Sequence, residues 1–417
     1  MEQKNIVILG GGFAGIRTAL DLGSLCHKRG MNCDIAVVDK MREHLFTPLL
    51  YEIATGLLEE RGHSADSALQ KGACLSFDEC LVKAKKAGVR FVHAEVTGVD
   101  ASSRIVKCAS GDSMPFDHLV IALGSEVNDY GIAGIAKNAV MMKSLAGAEY
   151  IRRRISEFVT GSDREFNIII GGAGATGVET SAELANFFQS RVYKTKPALA
   201  APHITLVEAQ DDILSSFKPS LRKIARERLH QLGIEILVNT NIVEAREGSV
   251  VIKSVGALLN KQIDLLIWAG GIKAPDFLKN FGVALTEKGF IDVDENLRVI
   301  GSENIWALGD CASVRNRPAP ALAQAAVSQA GAVAKNIASA LAGEKPSAFA
   351  PKRKKWNVVI PLGGKFAVAD VNGFVFSGIL AYALSKFIGF WYIIRILPFF
   401  GAVSVWLRGA IVYAKND

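Results

Sequence analysis

Two glycine-rich turns contain the residue types and spacing that bind nucleotide phosphates. Residues 10–15 read GGGFAG and residues 172–177 read GAGATG, and each turn follows an apolar run. In a GxGxxG turn, one glycine permits the tight bend, one lets the backbone approach a pyrophosphate, and one allows close helix packing. The phosphates then lie at the N-terminus of the helix that follows. The glycines at these positions are Gly10, Gly12, Gly15, Gly172, Gly174 and Gly177.

An acidic residue ends the next apolar run after each turn. Asp39 ends CDIAVVD and Glu208 ends HITLVE, so both carboxylates are placed to accept hydrogen bonds from ribose hydroxyls. Ala209 and Gln210 follow Glu208 where arginines would bind a 2′-phosphate, which favours NADH over NADPH. A single glycine turn is weak support for a nucleotide site, because tight turns before helices occur in many folds. Two complete units predict two nucleotide sites, for a flavin and a nicotinamide brought face to face.

Alternating strands and helices must position these turns, and the apolar periodicity predicts such elements over most of the chain. In each unit a buried strand leads through the turn to a helix and a second strand, the plan of a parallel α/β sheet. The predicted elements of the two units cover residues 5–9, 13–30, 33–39, 166–170, 175–190 and 203–208. Further expected elements are two antiparallel meanders, a buried strand and an alanine-rich helix, at residues 88–111, 235–254, 117–125 and 321–342. The expected fold class is α/β, with two Rossmann-like dinucleotide-binding domains and a C-terminal helical segment.

The composition indicates a multidomain protein with a membrane contact. The chain has 417 residues, enough for two or three domains, and 50% of them are hydrophobic while only 21% are charged. No nucleic-acid-binding signature accompanies the net charge of +7, so nucleic acid is not an expected partner. The N-terminal residues MEQKN lead directly into an apolar strand and do not resemble a signal peptide, which favours folding in the cytoplasm. The six cysteines form no CxxC pair and no metal-ligand cluster, so we expect reduced thiols and no metal site.

The C-terminal residues 371–414 are strongly apolar. Their only charged residues are Lys386, Arg395 and Arg408, and they are rich in Phe, Trp and Tyr. Lys386 interrupts the first apolar run and Pro398 would break or kink a helix, so two helices lying on the bilayer fit better than a spanning helix. We expect peripheral attachment to the cytoplasmic face of the cell membrane; a homodimer interface is the alternative for this surface. A basic run just upstream can hold anionic lipid at about 1 kcal/mol per residue: Lys352, Arg353, Lys354 and Lys355.

Several motifs resemble those of the type II NADH dehydrogenases, in content and in order along the chain. These are single-chain, non-proton-pumping NADH:quinone oxidoreductases among the glutathione-reductase-like flavoproteins with two dinucleotide-binding domains. The resemblance spans nearly the whole chain, and it implies FAD and NADH as cofactors and a membrane quinone as partner. HLFTPLLYEIATG is the most family-specific of the motifs, which are GGGFAG (10–15), HLFTPLLYEIATG (44–56), ALGS (122–125), GGAGATGVE (171–179), WAGGI (268–272), ALGDCAS (307–313) and APALAQAAVSQAG (319–331).

The resemblance also implies domain bounds and cofactor-binding residues. Residues 1–150 and 285–345 would form a discontinuous FAD domain, residues 151–284 an inserted NADH domain, and residues 346–417 a membrane-anchoring region. Asp310 is expected at the ribityl chain of FAD, and the turn glycines, Asp39 and Glu208 at the two dinucleotides. The other cofactor-binding residues implied are Phe13, Ala14, Lys40, Thr47, Pro48, Val96, Ala122, Gly124, Thr176, Gly270, Gly309 and Ala323. Because these residues precede the apolar segment, a chain cut at residue 371 is expected to leave membranes and keep FAD.

Three residues are candidates for contact with the reacting groups. The family's quinone site lies on a helix with the pattern AQ, then A, then one or two glutamines, which Gln324 and Gln329 match. Ser328 stands where the family's second glutamine normally sits, and alanine with glutamine also suits plain helix packing. Glu179 resembles a family glutamate near nicotinamide and quinone; the alternative is a first-turn acid that the helix dipole stabilises.

Two other functions fit part of this sequence. A sulfide:quinone oxidoreductase, or another pyridine nucleotide-disulphide oxidoreductase, would share the fold and FAD. The sulfide enzymes use a cysteine pair beside the flavin, whereas no cysteine occurs between Cys108 and Cys311. A membrane-bound flavin or nicotinamide sensor without turnover has only the departure at Ser328 in its favour. The leading interpretation is an enzyme that takes hydride from NADH onto FAD and passes electrons to a membrane quinone.

Overall fold

The computed structural model describes residues 2–56, 72–161, 165–192, 194, 196, 199–315, 319–350 and 356–416. The basic run Lys352, Arg353, Lys354 and Lys355 lies outside the described residues. The α-helices are α1 (Phe13–Lys28), α2 (Leu50–Ala54), α3 (Phe77–Leu81), α4 (Ile135–Asn138), α5 (Leu145–Gly161), α6 (Ala175–Phe187), α7 (Pro219–Gln231), α8 (Ala323–Leu341), α9 (Ile379–Ile396) and α10 (Phe399–Asn416).

The strands are β1 (Lys4–Leu9), β2 (Cys33–Asp39), β3 (Glu43–Leu45), β4 (Cys74–Ser76), β5 (Val89–His93), β6 (Val96–Asp100), β7 (Ile105–Cys108), β8 (Ser113–Pro115), β9 (His118–Ile121), β10 (Glu126–Val127), β11 (Val140–Met141), β12 (Asn167–Gly171), β13 (His203–Val207), β14 (Glu235–Leu237), β15 (Thr240–Arg246), β16 (Ser249–Ser254), β17 (Ala257–Gln262), β18 (Leu265–Trp268), β19 (Ile272–Lys273), β20 (Ile291–Val293), β21 (Ile305–Ala307), β22 (Ala312–Val314), β23 (Val358–Pro361), β24 (Ala367–Val371) and β25 (Phe374–Gly378).

The first five-stranded sheet contains the first glycine turn at the end of its central strand. Its strands are all parallel and lie in the order β21, β9, β1, β2, β5. The four residues of β1 before the turn are buried, as a strand covered on both faces requires. Helix α1 packs on this sheet and along α8. Because β21 pairs with β9, a segment beyond residue 300 completes a sheet that begins at residue 4.

The second five-stranded sheet repeats this topology around the second turn. Its parallel strands lie in the order β11, β18, β12, β13, β14. In both sheets the central strand, β1 or β12, leads into the glycine turn, and the neighbouring strand, β2 or β13, ends beside the acidic residue. The strand on the other side of the central strand, β9 or β18, follows a three-stranded antiparallel meander in the sequence. The meanders are β6–β8 and β15–β17. The predicted α/β class with two Rossmann-like units is confirmed.

Both meanders begin later than the sequence pattern predicts. Residues 89–93 (β5) and 235–237 (β14) are the outermost strands of the two parallel sheets instead. Such edge strands are covered less completely, so polar and apolar residues alternate along them as they do in a meander. Helix α1 ends at Lys28, before Gly30 with its φ of +64°, and α6 changes at residue 188 into a short π-helix.

Two short connections join the units carrying the two sheets. Strands β10 and β19 pair in antiparallel orientation, with Val127 opposite Ile272. Nearby, the indole Nε1 of Trp268 donates a hydrogen bond to the carbonyl oxygen of Asn128 at 2.8 Å. The two segments that connect the units are therefore held together by hydrogen bonds.

The C-terminal region begins with a small antiparallel sheet, β23–β25, which the sequence patterns did not predict. Strand β25 takes residues 374–378, so the helical part of the apolar segment starts at Ile379. Pro398 separates α9 from α10, as predicted. The inner face of α9 is buried in the hydrophobic cluster of the first sheet through Ile393 and Ile396. The C-terminal helices are thus part of the folded body.

Candidate active site

The first glycine turn has the shape that a pyrophosphate requires. Gly10 has a φ of +98°, and a side-chain carbon added there would lie 2.5 Å from the carbonyl oxygen of Ala122. A carbon added at Gly15 would lie 1.8 Å from the carbonyl oxygen of Gly10, so only glycine fits both positions. A carbon added at Gly12 would meet nothing within 4 Å. The turn therefore packs tightly against the protein at its first and last glycines and leaves free space at its middle glycine.

The second turn has the same shape. Gly172 has a φ of +99°, and an added carbon would lie 2.5 Å from the carbonyl oxygen of Ala269, which precedes Gly270. An added carbon at Gly177 would lie 1.9 Å from the carbonyl oxygen of Gly172, whereas one at Gly174 would meet nothing within 4 Å. The structure therefore contains the same concave backbone surface twice.

Each open glycine is also the N-cap of a helix. Gly12 precedes α1 and Gly174 precedes α6, and no side chain caps either helix. The first N–H groups of a helix have no partner within it, and they favour a negatively charged ligand together with the helix dipole. Phe13, Ala14 and Thr176 lie in these first turns, and Thr176 is exposed. Both helix ends can thus bind phosphate groups through the backbone.

The two acids make matching contacts with the turns. Asp39 accepts hydrogen bonds from the backbone N–H of Gly11 at 2.7 Å and of Met41 at 2.8 Å. Glu208 accepts from the backbone N–H of Ala173 at 2.6 Å and of Gln210 at 2.9 Å. A carboxylate offers about four acceptor positions, so each acid keeps capacity for ribose hydroxyls.

Two further predicted residues lie near the first acid. Lys40 is exposed and follows Asp39 directly, and its carbonyl oxygen is 2.9 Å from Nε2 of His93. Val96 begins β6, two residues after Ala94, whose N–H bonds to the carbonyl oxygen of Asp39. Open space at the middle glycine, unpaired helix donors and a carboxylate together fit a dinucleotide at each turn. By chain position and prediction, the first would hold FAD and the second NADH.

A polar chain lies beside the first turn, at the predicted ribityl position. The Ser125 hydroxyl donates to Oδ2 of Asp310 at 3.2 Å, and Nζ of Lys143 donates to that hydroxyl at 2.5 Å. Burial lowers the pKa of Lys143 from its usual value, while Asp310 and Glu126 act in the opposite direction. Sequence reasoning missed Lys143, although a lone lysine within the apolar stretch VMMKSLAG could have indicated it.

Gly309 precedes Asp310 and contacts helices α1 and α8. Its N–H donates to Oε1 of Gln329 at 2.8 Å, and a carbon added at Gly309 would lie 3.4 Å from Cβ of Ala14. Gly124, with a φ of +67°, begins the loop that leads to Ser125. The structure thus brings Asp310 next to the first turn.

The segment 44–56 contacts three parts of the protein. His44 and Phe46 are buried beside Phe13, with ring centroids 5.1 and 5.9 Å away. Leu50, Ile53 and Ala54 belong to the hydrophobic cluster of the second sheet. Oε1 of Glu52 accepts from Nζ of Lys386 on α9 at 2.6 Å. Between these contacts Thr47 and Pro48 are exposed, so the predicted pair is free to meet a ligand.

Glu179 lies in the second turn of α6 and is half-buried. Loss of hydration raises the pKa of its carboxyl group to about 8. No hydrogen bond or ion pair to this side chain occurs among the residues that the structure describes. Loss of hydration therefore favours the neutral form of Glu179 near pH 7, whereas an exposed acid in a first helical turn is ordinarily ionised.

The predicted quinone residues on α8 differ in their surroundings. Ala323 and Gln324 are exposed at the N-terminus of the helix, and Ser328 is half-buried. Gln329 is 2% exposed and positions Gly309, as described above. Gln324 can meet a ligand directly, whereas Gln329 acts on the turn that carries Asp310; contact of either residue with a quinone remains a prediction.

Cys311 follows Asp310 but is not placed for redox chemistry. Its thiol is fully buried, donates to the carbonyl oxygens of Ile121 and Leu308, and has its pKa raised to about 12 by burial. Reactive cysteines need an accessible thiolate. The geometry assigns Cys311 to packing.

Comparison with known proteins places the chain in a family. Residues 4–330 match the family model of the pyridine nucleotide-disulphide oxidoreductases. The chain is 32% identical over 364 residues to the type II NADH:quinone oxidoreductase of Haemophilus influenzae, covering 80% of each protein. The structure of NDH2 from Plasmodium falciparum in complex with NADH has a TM-score of 0.84 at 20% identity, covering 99% of this chain and 98% of that one. The sulfide:quinone oxidoreductase of Aquifex aeolicus has a TM-score of 0.78 at 17% identity, with 94% and 91% covered, and shares the fold.

The duplicated turn and acid geometry agrees with the family match, and the buried Cys311 separates this site from one built on a cysteine pair. The chain therefore belongs to the pyridine nucleotide-disulphide oxidoreductases and, within them, to the type II NADH:quinone oxidoreductases.

Proposed function

We propose that this protein oxidises NADH and delivers the electrons through FAD to a quinone held at a membrane. The observation that carries the proposal is the pair of equivalent nucleotide cradles, at Gly10–Gly15 and Gly172–Gly177, on two sheets of the same topology. When bound, FAD supplies a ring that can accept a hydride and release electrons. The protein's residues bind the two dinucleotides, orient them and control protons.

The proposed FAD domain comprises residues 1–150 and 285–345, and the NADH domain residues 151–284. Gly12 and Asp39 would hold the adenosine diphosphate half of FAD, and Asp310, oriented through Ser125 and Lys143, its ribityl chain. Gly174 and Glu208 would hold NADH. Because carboxyl ends of strands from both sheets carry these groups, the two ligands approach from two separate units.

Glu179 would keep a proton available for quinone reduction, which consumes protons as well as electrons. With a pKa of about 8, its carboxyl group is protonated at pH 7 and loses the proton as the pH rises further. Glu179→Gln is expected to slow flavin reoxidation by a quinone by roughly 10²-fold at pH 7. The wild-type rate should fall as the pH rises through about 8, while the variant's rate should stay flat; stopped-flow absorbance across pH checks both.

A stability measurement separates this role from a folding defect. The Glu179 pKa is raised from 4.5 to about 8, so the folded protein binds more protons than the unfolded chain between these values. The stability linked to this group is present at low pH and is lost as the pH rises to about 8. Glu179→Gln should therefore make the ligand-free protein more stable above pH 8 relative to wild type. A loss of stability at every pH would contradict the assignment.

Gln324 would contact the quinone head group from the exposed start of α8. Gln324→Leu is expected to slow reoxidation of reduced flavin by a quinone several-fold, since one hydrogen bond contributes about 1 kcal/mol. Reduction by NADH should stay unchanged. Ser328→Gln restores the residue that the family normally has at this position of the helix, and it should be tolerated. Equal slowing of both half-reactions would indicate a packing defect, and unchanged rates would remove the quinone from this helix.

The membrane contact would be the outer face of α9 and α10. Among the described residues α9 is the one helix long and apolar enough to cross a membrane, with a mean hydropathy of 1.5 over 18 residues. Its inner face packs against the protein through Ile393, Lys386 and Tyr392, which favours a helix lying on the bilayer over a spanning helix. The outer face of the two helices exposes Ile379, Leu380, Phe387, Ile388, Trp391, Phe399, Phe400, Trp406 and Leu407.

The test of the whole proposal is anaerobic stopped-flow with the purified protein. Mixing with NADH should bleach the flavin absorbance, and a second mix with a short-chain quinone should restore it. Bleaching by sulfide in place of NADH would instead identify a sulfide oxidoreductase. Absence of bleaching with either donor would indicate a protein without turnover.

A further inference from the structure

Helix α9, the first of the two C-terminal helices, is connected to the first glycine turn by two successive hydrogen bonds. The hydroxyl group of Tyr392 lies 2.9 Å from Nε2 of His44, and Nδ1 of His44 lies 3.0 Å from the carbonyl oxygen of Gly11. Gly11 is the second residue of the turn that is proposed to hold FAD. Phe13 and Phe46 pack on the Tyr392 ring, with centroids 4.7 and 5.6 Å away.

The donor and acceptor in each of these two hydrogen bonds can be assigned from chemistry. Burial lowers the pKa of His44 to about 4, so the imidazole is neutral at pH 7 and carries one proton. The Gly11 carbonyl oxygen can only accept, so that proton lies on Nδ1. Nε2 is then an acceptor, and the Tyr392 hydroxyl donates to it. Without that hydroxyl, Nε2 would be a buried acceptor with no partner from α9.

The hydrogen bond to the Gly11 carbonyl oxygen fixes the direction of the next backbone N–H, that of Gly12, which can donate to a phosphate group. In a trans peptide the C=O of one residue and the N–H of the next point in opposite directions. The bond from His44 therefore directs the Gly12 N–H away from His44. A carbon added at Gly12 meets nothing within 4 Å, so there is open space at this glycine for a ligand. The Gly11 N–H is itself held by Asp39.

The second turn offers an internal comparison. Ala173 occupies the position equivalent to Gly11, and its carbonyl oxygen accepts from the backbone N–H of Leu214 at 2.8 Å. The equivalent carbonyl is thus held in both turns. Only the first turn uses a side chain for this purpose, and that side chain is supported by α9.

We propose that Tyr392 and His44 are positioning residues of the FAD site, so that helix α9 holds the first glycine turn in its phosphate-binding shape. The proposal rests on FAD binding at the first turn and is independent of membrane attachment. It applies to cofactor affinity and to the environment of the bound flavin.

The test compares Tyr392→Phe with Trp391→Ala in the full-length protein. Tyr392→Phe keeps the ring and removes one donor, and it is expected to raise the FAD dissociation rate about tenfold and alter the circular dichroism of bound flavin. Trp391 is the neighbouring residue on the exposed face, so Trp391→Ala should weaken binding to vesicles of anionic phospholipid and leave FAD dissociation unchanged. Normal vesicle binding by Trp391→Ala would count against the membrane face and not against this proposal.

A double-mutant cycle separates positioning from packing. His44→Asn keeps an N–H group for the Gly11 carbonyl and lacks the second ring nitrogen that Tyr392 contacts. It should retain FAD better than His44→Leu, and adding Tyr392→Phe to His44→Asn should change the dissociation rate less than about twofold. The proposal is overturned if Tyr392→Phe alone leaves FAD dissociation unchanged, or if its effect is equally large in the His44→Asn background. Binding of NAD⁺ at the second turn shows whether each variant is folded. If Tyr392→Phe does not fold, the comparison of FAD dissociation from His44→Asn and from His44→Leu tests the proposal instead. Equal loss of FAD from these two variants overturns it.

Discussion

Replacing Gly174 by alanine is expected to weaken NADH binding at least about 100-fold and to leave the protein folded with FAD bound. An added methyl carbon meets nothing within 4 Å, and the backbone at Gly174, with φ −68° and ψ −174°, is one that alanine adopts freely. The same methyl group would occupy the space through which a pyrophosphate approaches the backbone. Loss of two charge-assisted hydrogen bonds, about 1.5–3 kcal/mol each, corresponds to an affinity at least about 100-fold weaker.

Titration calorimetry with NAD⁺, which does not reduce FAD, measures this affinity, and the flavin absorbance shows that FAD remains. Gly161→Ala is the matched control, since an added carbon at Gly161 in α5 also meets nothing within 4 Å. That control should bind NAD⁺ as the wild type does. Normal NAD⁺ binding by Gly174→Ala would place the nicotinamide nucleotide elsewhere.

Ending the chain at Gly378 should detach the protein from membranes and also release FAD. The cut removes α9, and with it Ile393 and Ile396, which are buried in the core of the first sheet. Burying one such side chain contributes about 1.5–3 kcal/mol, a large share of a stability of about 5–15 kcal/mol. The sequence alone predicts that a cut at residue 371 keeps FAD. The packing of α9 against the core of the first sheet favours the opposite outcome.

A second truncation, ending at Leu397, removes α10 and keeps α9. It removes the small core residue Ala402 and Val405 but keeps Ile393, Ile396 and Tyr392, so it should weaken membrane binding and lose less FAD than the chain ending at Gly378. Sedimentation with vesicles and flavin absorbance after gel filtration measure the two properties. A yellow, stable protein ending at Gly378 would show that α9 is dispensable for the FAD site.

The sequence located features that depend on local spacing. Both turns could be predicted because the roles of Gly10 and Gly15 are fixed by contacts within a few residues and one neighbouring strand. The two acids could be predicted because the residue that ends the second strand lies beside the turn in any such sheet. The break at Pro398 followed from the missing N–H of proline.

Features that depend on distant parts of the chain could not be predicted in this way. Lys143 meets Ser125 and Asp310 only after segments from three regions of the sequence come together. Gln329 matches a motif, yet its burial against Gly309 is visible only in three dimensions. His44 lies in the most specific motif, but its partner Tyr392 is in the C-terminal segment, where the pattern indicated a lipid surface or a dimer interface and no contact with the first glycine turn.

The contact between His44 and Tyr392 also constrains how the protein is made. These residues are 348 positions apart, so at about 5–20 residues per second a ribosome releases Tyr392 roughly 17–70 s after His44. Until β21 is synthesised, β9 is an unpaired edge, and α9 follows later still. The second sheet can form while the nascent chain is still growing, but the N-terminal unit must wait, with apolar surface exposed to chaperones. From the proposed role of α9, we expect stable loading of the flavin only after this helix has left the ribosome.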